Sequence, residues 1–351
     1  MYSDYFKLSG KPFQLSPNPR FFFGSRGHQR AMAYLQYGLS QGEGFIVVTG
    51  EVGTGKTTLI GYLLSQLDSA MYLTAKLVTT QLESEDMLRM VASAFGIESR
   101  GLDKATLLRN FEHFLLDNQR RGRRALVLVD EVQNLPMRSL EELRMLSNFQ
   151  ASDVAPVQFC LVGQPQFQQM MTSDDLMQLR QRVIASYHLG PLSPDETRSY
   201  IEHRLHLVNW KSDPAIAPAA YTRIHDRTGG VPRQINVLCD RLLLSAMLDE
   251  LHEVTAELVE LVAGEMASEG MRTTAKAERL QRSPEEVPAR DSDGDDIAEL
   301  GQRLASIEEL VQVHDRTIRR AIELLANYLD KGGVVLPEGA SEGKKASMRE
   351  K

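Results

Sequence analysis

The sequence predicts an α/β fold: a parallel sheet covered by helices on both faces, then a small all-α domain and a C-terminal coiled-coil helix. Three observations predict it. From Phe45 to about Leu189, strand-length apolar runs alternate with segments of helical period, the βαβ pattern of a parallel sheet. After Leu192 the pattern is helical throughout. From Ile297 an apolar seven-residue period appears, with Ile297, Leu304, Val311, Ile318 and Leu325 at one position and Leu300, Ile307, His314, Ala321 and Tyr328 at the other, the repeat of a coiled coil.

The elements follow in order. Phe45–Thr49, Met71–Thr74, Ala125–Val129, Val157–Val162 and Ile184–Leu189 are short and mostly apolar, as strands buried on both faces should be. Ser193-Pro194-Asp195-Glu196 opens the helical part with a capping serine, a first-turn proline and a glutamate that completes a capping box. Helical segments are expected at Tyr200–Val208, Ala219–Asp226, Pro232–Leu248 and from about Thr255 to Met266. Residues 269–296 carry thirteen charges and few aliphatic side chains, too little apolar surface to offset chain entropy, and read as a linker. The division expected is 1–192 for the sheet domain with its N-terminal segment, 193–268 for the helical domain, 269–296 for the linker, 297–330 for the coiled-coil helix and 331–351 for a polar tail.

Composition narrows the function. The 351 residues carry 40 Lys and Arg against 47 Asp and Glu, a formal charge of −7, so no overall field draws the chain to nucleic acid or anionic lipid. Arg120-Arg-Gly-Arg-Arg124 is basic, but it precedes a buried strand and reads as a solvated helix end. Cys160 and Cys239 stand far apart without ligand spacing, which argues against a disulfide framework and fits a reducing cytoplasm. His203 and His206 lie one helical turn apart and lack a third ligand of suitable spacing. The N-terminus lacks a signal-peptide pattern, and no apolar run approaches a bilayer span.

The chemistry concentrates in two motifs. Gly50-Glu51-Val52-Gly53-Thr54-Gly55-Lys56-Thr57 is a complete G-x-x-x-x-G-K-[ST] between a strand and an apolar-periodic helix, the context that confirms a P-loop. Its amides would cradle phosphates at a helix N-terminus. Lys56 would stand between the β- and γ-phosphates, the Thr57 hydroxyl on Mg²⁺, and Thr58 at the α-phosphate. Leu126-Val-Leu-Val129-Asp130-Glu131 is a Walker B pattern: an apolar strand ending in two carboxylates. Asp130 is expected to hold Mg²⁺ through water, and Glu131 to orient and deprotonate the attacking water. Acidic residues often end a strand without function, and the combination with Lys56 decides the reading. A third strand ends at Gly163-Gln164, which places an amide where open α/β sheets bind ligands. Phe21-Phe22-Phe23 read either as a border of the adenine or as packing of the N-terminal segment on the sheet.

These residues resemble the AAA+ ATPases of the ExeA-like, general secretion pathway protein A family, and within it the secretion ATPases of exosortase (PEP-CTERM) loci. The resemblance covers about residues 1–267. It rests on Tyr5-Phe-x-Leu8 with Pro12-Phe13, Pro17-Asn-Pro19-x-Phe21-Phe-Phe-Gly-Ser25 with His28, the P-loop string Gly44–Thr58, Asp130-Glu131-Val-Gln133-Asn134-Leu135, Leu140-Glu-Glu-Leu143-Arg-x-Leu-Ser147-Asn148, Leu161-Val-Gly-Gln-Pro165 and Leu189-x-Pro191-Leu-Ser193. It implies that Gln164 is sensor 1, that the helical domain is the lid, and that Arg233 in Gly229-Gly230-Val-Pro232-Arg233 is sensor 2 at the γ-phosphate. Arg180 and Arg182 fall where the family carries an arginine finger that acts on a neighbouring subunit, with Arg182 favoured. The expected protein is then a cytoplasmic ATPase using ATP and Mg²⁺. It would form a ring or filament of like subunits and meet an inner-membrane export-system protein through the heptad helix. Rival readings are a DNA-associated regulator resembling transposition ATPases and a nucleotide-gated coiled-coil scaffold.

Overall fold

The computed structural model of the protein describes residues 2–78, 84–149 and 155–281. The expected coiled-coil helix at 297–330, the tail at 331–351 and the linker beyond residue 281 lie outside the described residues. After a short helix, α1 (Tyr2–Tyr5), the chain builds α2 (Arg26–Gln41), β1 (Phe45–Gly50), α3 (Lys56–Gln66), β2 (Tyr72–Val78), α4 (Ser84–Ala94) and α5 (Lys104–Arg120). It continues through β3 (Arg124–Asp130), α6 (Met137–Leu146), β4 (Val157–Gly163), α7 (Pro165–Met170), α8 (Met177–Arg180) and β5 (Val183–Leu189). All five expected strands are present within a few residues of their expected bounds.

They form one parallel sheet in the order β2-β3-β4-β1-β5. Every residue of β1 and β4 is buried, which is why their apolar runs do not alternate. One face packs on α4, α5 and α6 through Val91, Phe111 and Leu143, and the other on α2 and α3 through Leu35 and Leu59. Parallel pairing brings the C-terminal strand ends to one edge. Thr49 of β1 pairs with Gly163 of β4, and Leu161 of β4 with Val129 of β3, so Gly50, Asp130 and Gln164 emerge side by side.

The lid comprises α9 (Pro194–His206), α10 (Pro218–Thr228), α11 (Pro232–Leu248) and α12 (Ala256–Gln281). The capping box at its start forms as expected: the Glu196 amide donates to Ser193 Oγ at 3.3 Å, and the Ser193 amide to Glu196 Oε2 at 3.0 Å. The lid also holds a two-residue parallel pair, β6 (Ala215–Ile216) and β7 (Glu253–Val254), in a part expected to be wholly helical.

Two boundaries differ from those expected. Helix α12 continues to Gln281, past the expected lid boundary at residue 268. Its polar composition there is no obstacle, because charged straight-chain residues are good helix formers. The N-terminal segment, expected with the sheet domain, is part of the lid core instead: Tyr2, Phe6, Leu8 and Phe13 are buried with Ile201, Leu205, Ile235 and Leu242. Its backbone is tied there as well, since the Ser9 amide donates to the Val208 carbonyl at 2.9 Å.

Candidate functional site

The P-loop runs from the end of β1 into α3. Gly53 and Gly55 have φ of +88° and +98°, a left-handed conformation that glycine adopts without penalty. A Cβ would also be obstructed at both positions, by Arg233 Cβ at 2.6 Å and by His28 Nε2 at 2.8 Å. The loop is held from outside by the Arg233 amide, which donates to the Gly53 carbonyl at 3.1 Å. Lys56 is buried at 7% exposure, and its Nζ donates to the carbonyls of Gly50 at 2.6 Å and Glu51 at 2.9 Å. Burial lowers its pKa, and the carboxylates of Glu131, Asp130 and Glu51 oppose that shift. An ammonium kept in such a place, neutralised only through space, is suited to an anion of high charge.

Beside it, Thr57 Oγ1 donates to Asp130 Oδ2 at 3.2 Å, while Lys76 Nζ stands 3.9 Å from the same oxygen. A hydroxyl and a carboxylate at this spacing are the hard oxygen donors that Mg²⁺ takes. Glu131, the next residue, has a left-handed backbone (φ +55°). Its Oε2 accepts from Gln133 Nε2 at 2.6 Å and from Gln164 Nε2 at 3.1 Å. Burial pushes the Glu131 carboxyl pKa up, but the two amides and the Lys56 charge outweigh it, so the group is held below its ordinary value.

His28, near the start of α2, is buried against this loop. Ser25 Oγ lies 2.7 Å from its Nδ1, and its ring also bonds to the Thr54 backbone. Burial lowers its pKa to about 4, so the imidazole is neutral near pH 7. One residue after the Ser25 cap, the Arg26 amide donates to Glu196 Oε1 at 2.8 Å, which joins the start of α2 to the start of α9.

A cavity of about 370 Å³ opens over the P-loop, within the range of small-molecule sites. Its floor is Gly53, Lys56, Thr57, Thr58 and Glu131; its far wall is a strap, residues 14–18 and 21–23, backed by the lid residues Tyr200 and Arg204. Arg204 is buried at 6% exposure. Its Nε donates to the Pro12 carbonyl at 2.6 Å, its Nη2 to the Gln14 carbonyl at 3.2 Å and its Nη1 to Tyr200 Oη at 3.0 Å. The guanidinium also lies over the Phe21 ring, 4.6 Å from its centroid. Phe22 stacks on Tyr62 at 4.2 Å, and Phe23 meets Tyr200 edge-on at 5.7 Å. The three phenylalanines therefore border the cavity while packing on α3 and the lid.

The structure thus brings together Gly50–Thr58, Asp130, Glu131, Gln164 and Arg233. Arg180 and Arg182 are elsewhere. Arg182 precedes β5, and its carbonyl accepts from the amide of Phe45 at the start of β1, five residues and so about 16 Å along the strand from Gly50. Its Nη1 donates to Ser147 Oγ at 3.2 Å, and Arg180 Nη1 to the Met171 carbonyl at 3.2 Å. Sequence reasoning gave no role to His28, Gln133 or Arg204. The first two stand in the family-like strings quoted above, and nothing local marks the third.

Fold and site together define a P-loop NTPase of the AAA+ class. Residues 39–171 match the AAA domain family. The chain is similar to General secretion pathway protein A of Aeromonas hydrophila, with 38% identity over 268 residues, 76% of its length. It spans about half, 49%, of that relative. Among solved structures it is similar to Cdc6p from Pyrobaculum aerophilum (TM-score 0.55, 15% identity, covering 70% of this chain and 68% of that one). It is also similar to Aeropyrum pernix ORC1 in complex with DNA (TM-score 0.54, 15% identity, 73% and 69%). At those identities the likeness concerns the fold.

Proposed function

We propose that the protein is a Mg²⁺-dependent ATPase whose turnover rearranges the subunits of a homo-oligomer, in assembly or regulation of an envelope secretion or export system. One observation carries the chemistry: a single cavity is floored by the buried Lys56 ammonium and by Glu131, beside the Thr57–Asp130 pair. Nucleotide phosphates would draw Lys56 Nζ off the Gly50 and Glu51 carbonyls and take the Gly53–Thr57 amides. Thr57 and Asp130 would hold Mg²⁺, which supplies charge neutralisation on the β- and γ-phosphates when bound. Glu131 would orient the attacking water and accept its proton, and the Gln164 amide would turn to the γ-phosphate. Arg233, at the start of α11, would carry the state of the γ-phosphate into the lid.

Arg182 is the proposed finger, acting across a subunit interface, because its distance from its own P-loop suits a group that serves a neighbour. The cellular role rests on the relation to General secretion pathway protein A, and the heptad segment 297–330 is the proposed contact with an inner-membrane partner, which would place the protein on the cytoplasmic side. A net charge of −7 argues against the DNA-associated alternative. The shared site is tested by mixing Arg182→Ala with Lys56→Ala subunits, each inactive alone. Phosphate release should return in the mixture, because some interfaces pair an intact pocket with an intact finger. Mixtures that co-assemble and stay inactive would place the finger elsewhere.

A further inference from the structure

We propose that Gln133 is a positioning residue for the Glu131 carboxylate, fastening it to the end of β4. This rests on the reading of Glu131 as the base. Both ends of the Gln133 amide are engaged: Nε2 donates to Glu131 Oε2 at 2.6 Å, and Oε1 accepts the Gln164 backbone N–H at 2.9 Å. A reversed amide would set N–H against N–H and oxygen against carboxylate, so the two partners also fix its orientation. Gln164 Nε2 completes a ring by donating to the same Glu131 oxygen at 3.1 Å.

Two further observations point to the same residue. Glu131 has a φ of +55°, a left-handed conformation that is unfavourable for a non-glycine residue and persists where its surroundings over-determine it. Gly163 leaves room for the Gln133 side chain, since a Cβ there would lie 3.0 Å from Gln133 Oε1 and 2.7 Å from Val132 Cγ1. In this arrangement Gln164 has two uses for one amide. When that amide turns to a γ-phosphate, Gln133 still holds the carboxylate, anchored by the Gln164 backbone rather than by its side chain. The base keeps its aim through the step in which sensor 1 changes partner.

The test is a double-mutant cycle read by single-turnover ATP cleavage and by equilibrium binding of a fluorescent ATP analogue. Gln133→Met keeps the side-chain volume and removes both hydrogen bonds. It should lower the cleavage rate about tenfold or more while leaving analogue affinity within about twofold. In a Glu131→Gln background it should lower the rate no further, because a residue that acts through Glu131 has nothing left to position. Gly163→Ala, which crowds Gln133 without altering it, should move the rate in the same direction with binding retained. A wild-type cleavage rate in Gln133→Met, or an equal loss with Glu131 already replaced, overturns the inference while leaving Glu131 as the base. A wild-type rate in Glu131→Gln overturns both.

Discussion

The two ends of the cavity are built in opposite ways. The phosphate end is local: Gly50 to Thr58 are consecutive, and Asp130 and Gln164 join them because parallel strands deliver their C-terminal ends to one edge. The far end is assembled from distant chain, with Arg204 of α9 bound to the carbonyls of Pro12 and Gln14 some 190 residues earlier. A phosphate cradle needs backbone amides in a fixed loop, which a short motif can encode. The far wall instead joins the N-terminal strap to the lid through Arg204, an arrangement that no short motif encodes.

That contrast can be broken at the phosphate end first. Lys56→Ala should weaken ATP binding by at least about a hundredfold, the scale of a lost charge-assisted contact in a buried site, while the urea midpoint changes little, because relief of a buried ammonium offsets the loss of its bonds to the Gly50 and Glu51 carbonyls. Isothermal titration alongside urea unfolding checks both; a melted protein would mean that the lysine holds the loop rather than the ligand.

Arg204→Met should act in the reverse manner. It leaves two carbonyls and the Tyr200 hydroxyl without a donor, which should cost about 2 kcal/mol of stability, and it should lower ATP affinity by only about tenfold through the loosened strap. Affinity loss without destabilisation would show that Arg204 touches the ligand directly.

His28 offers the smallest effect, set by pH. Its folded pKa of about 4 lies below the ordinary 6.5, so between those values the unfolded chain binds a proton that the folded chain does not. Stability should therefore fall on acidification through that window, by about 2 kcal/mol from this group between pH 7 and pH 5. His28→Gln keeps an amide near the Nε2 position, and its urea midpoint should fall less over the same interval. Parallel losses in the two proteins would show that His28 is not the group that titrates.

The same contrast explains what was legible in the sequence. Strands such as Val157–Gly163 are apolar runs bounded by turns, and the P-loop glycines sit where the backbone requires them. Helix α9 carries its own cap in Ser193 and Glu196, while α10 and α11 each open on a proline. The place of Tyr2, Phe6, Leu8 and Phe13 was not legible, because scattered apolar residues show that a segment is buried and not against what. Arg204 resembles any helix arginine until the strap folds over it. Gln133 stands two residues after Glu131, yet its role depends on the neighbouring strand, which brings the Gln164 amide within 2.9 Å. The reach of α12 to Gln281 is not legible in its composition, because a dense run of charges is common to linkers and to exposed helices, and straight-chain charged residues propagate a helix well.

The most direct test of the account is to measure ATP binding and ATP cleavage separately in Glu131→Gln. If the cavity is a hydrolytic site with divided roles, the variant binds ATP·Mg²⁺ as tightly as the wild type and releases phosphate at least about a hundredfold more slowly. Cleavage at the wild-type rate, or loss of ATP binding to match the loss of cleavage, would contradict it.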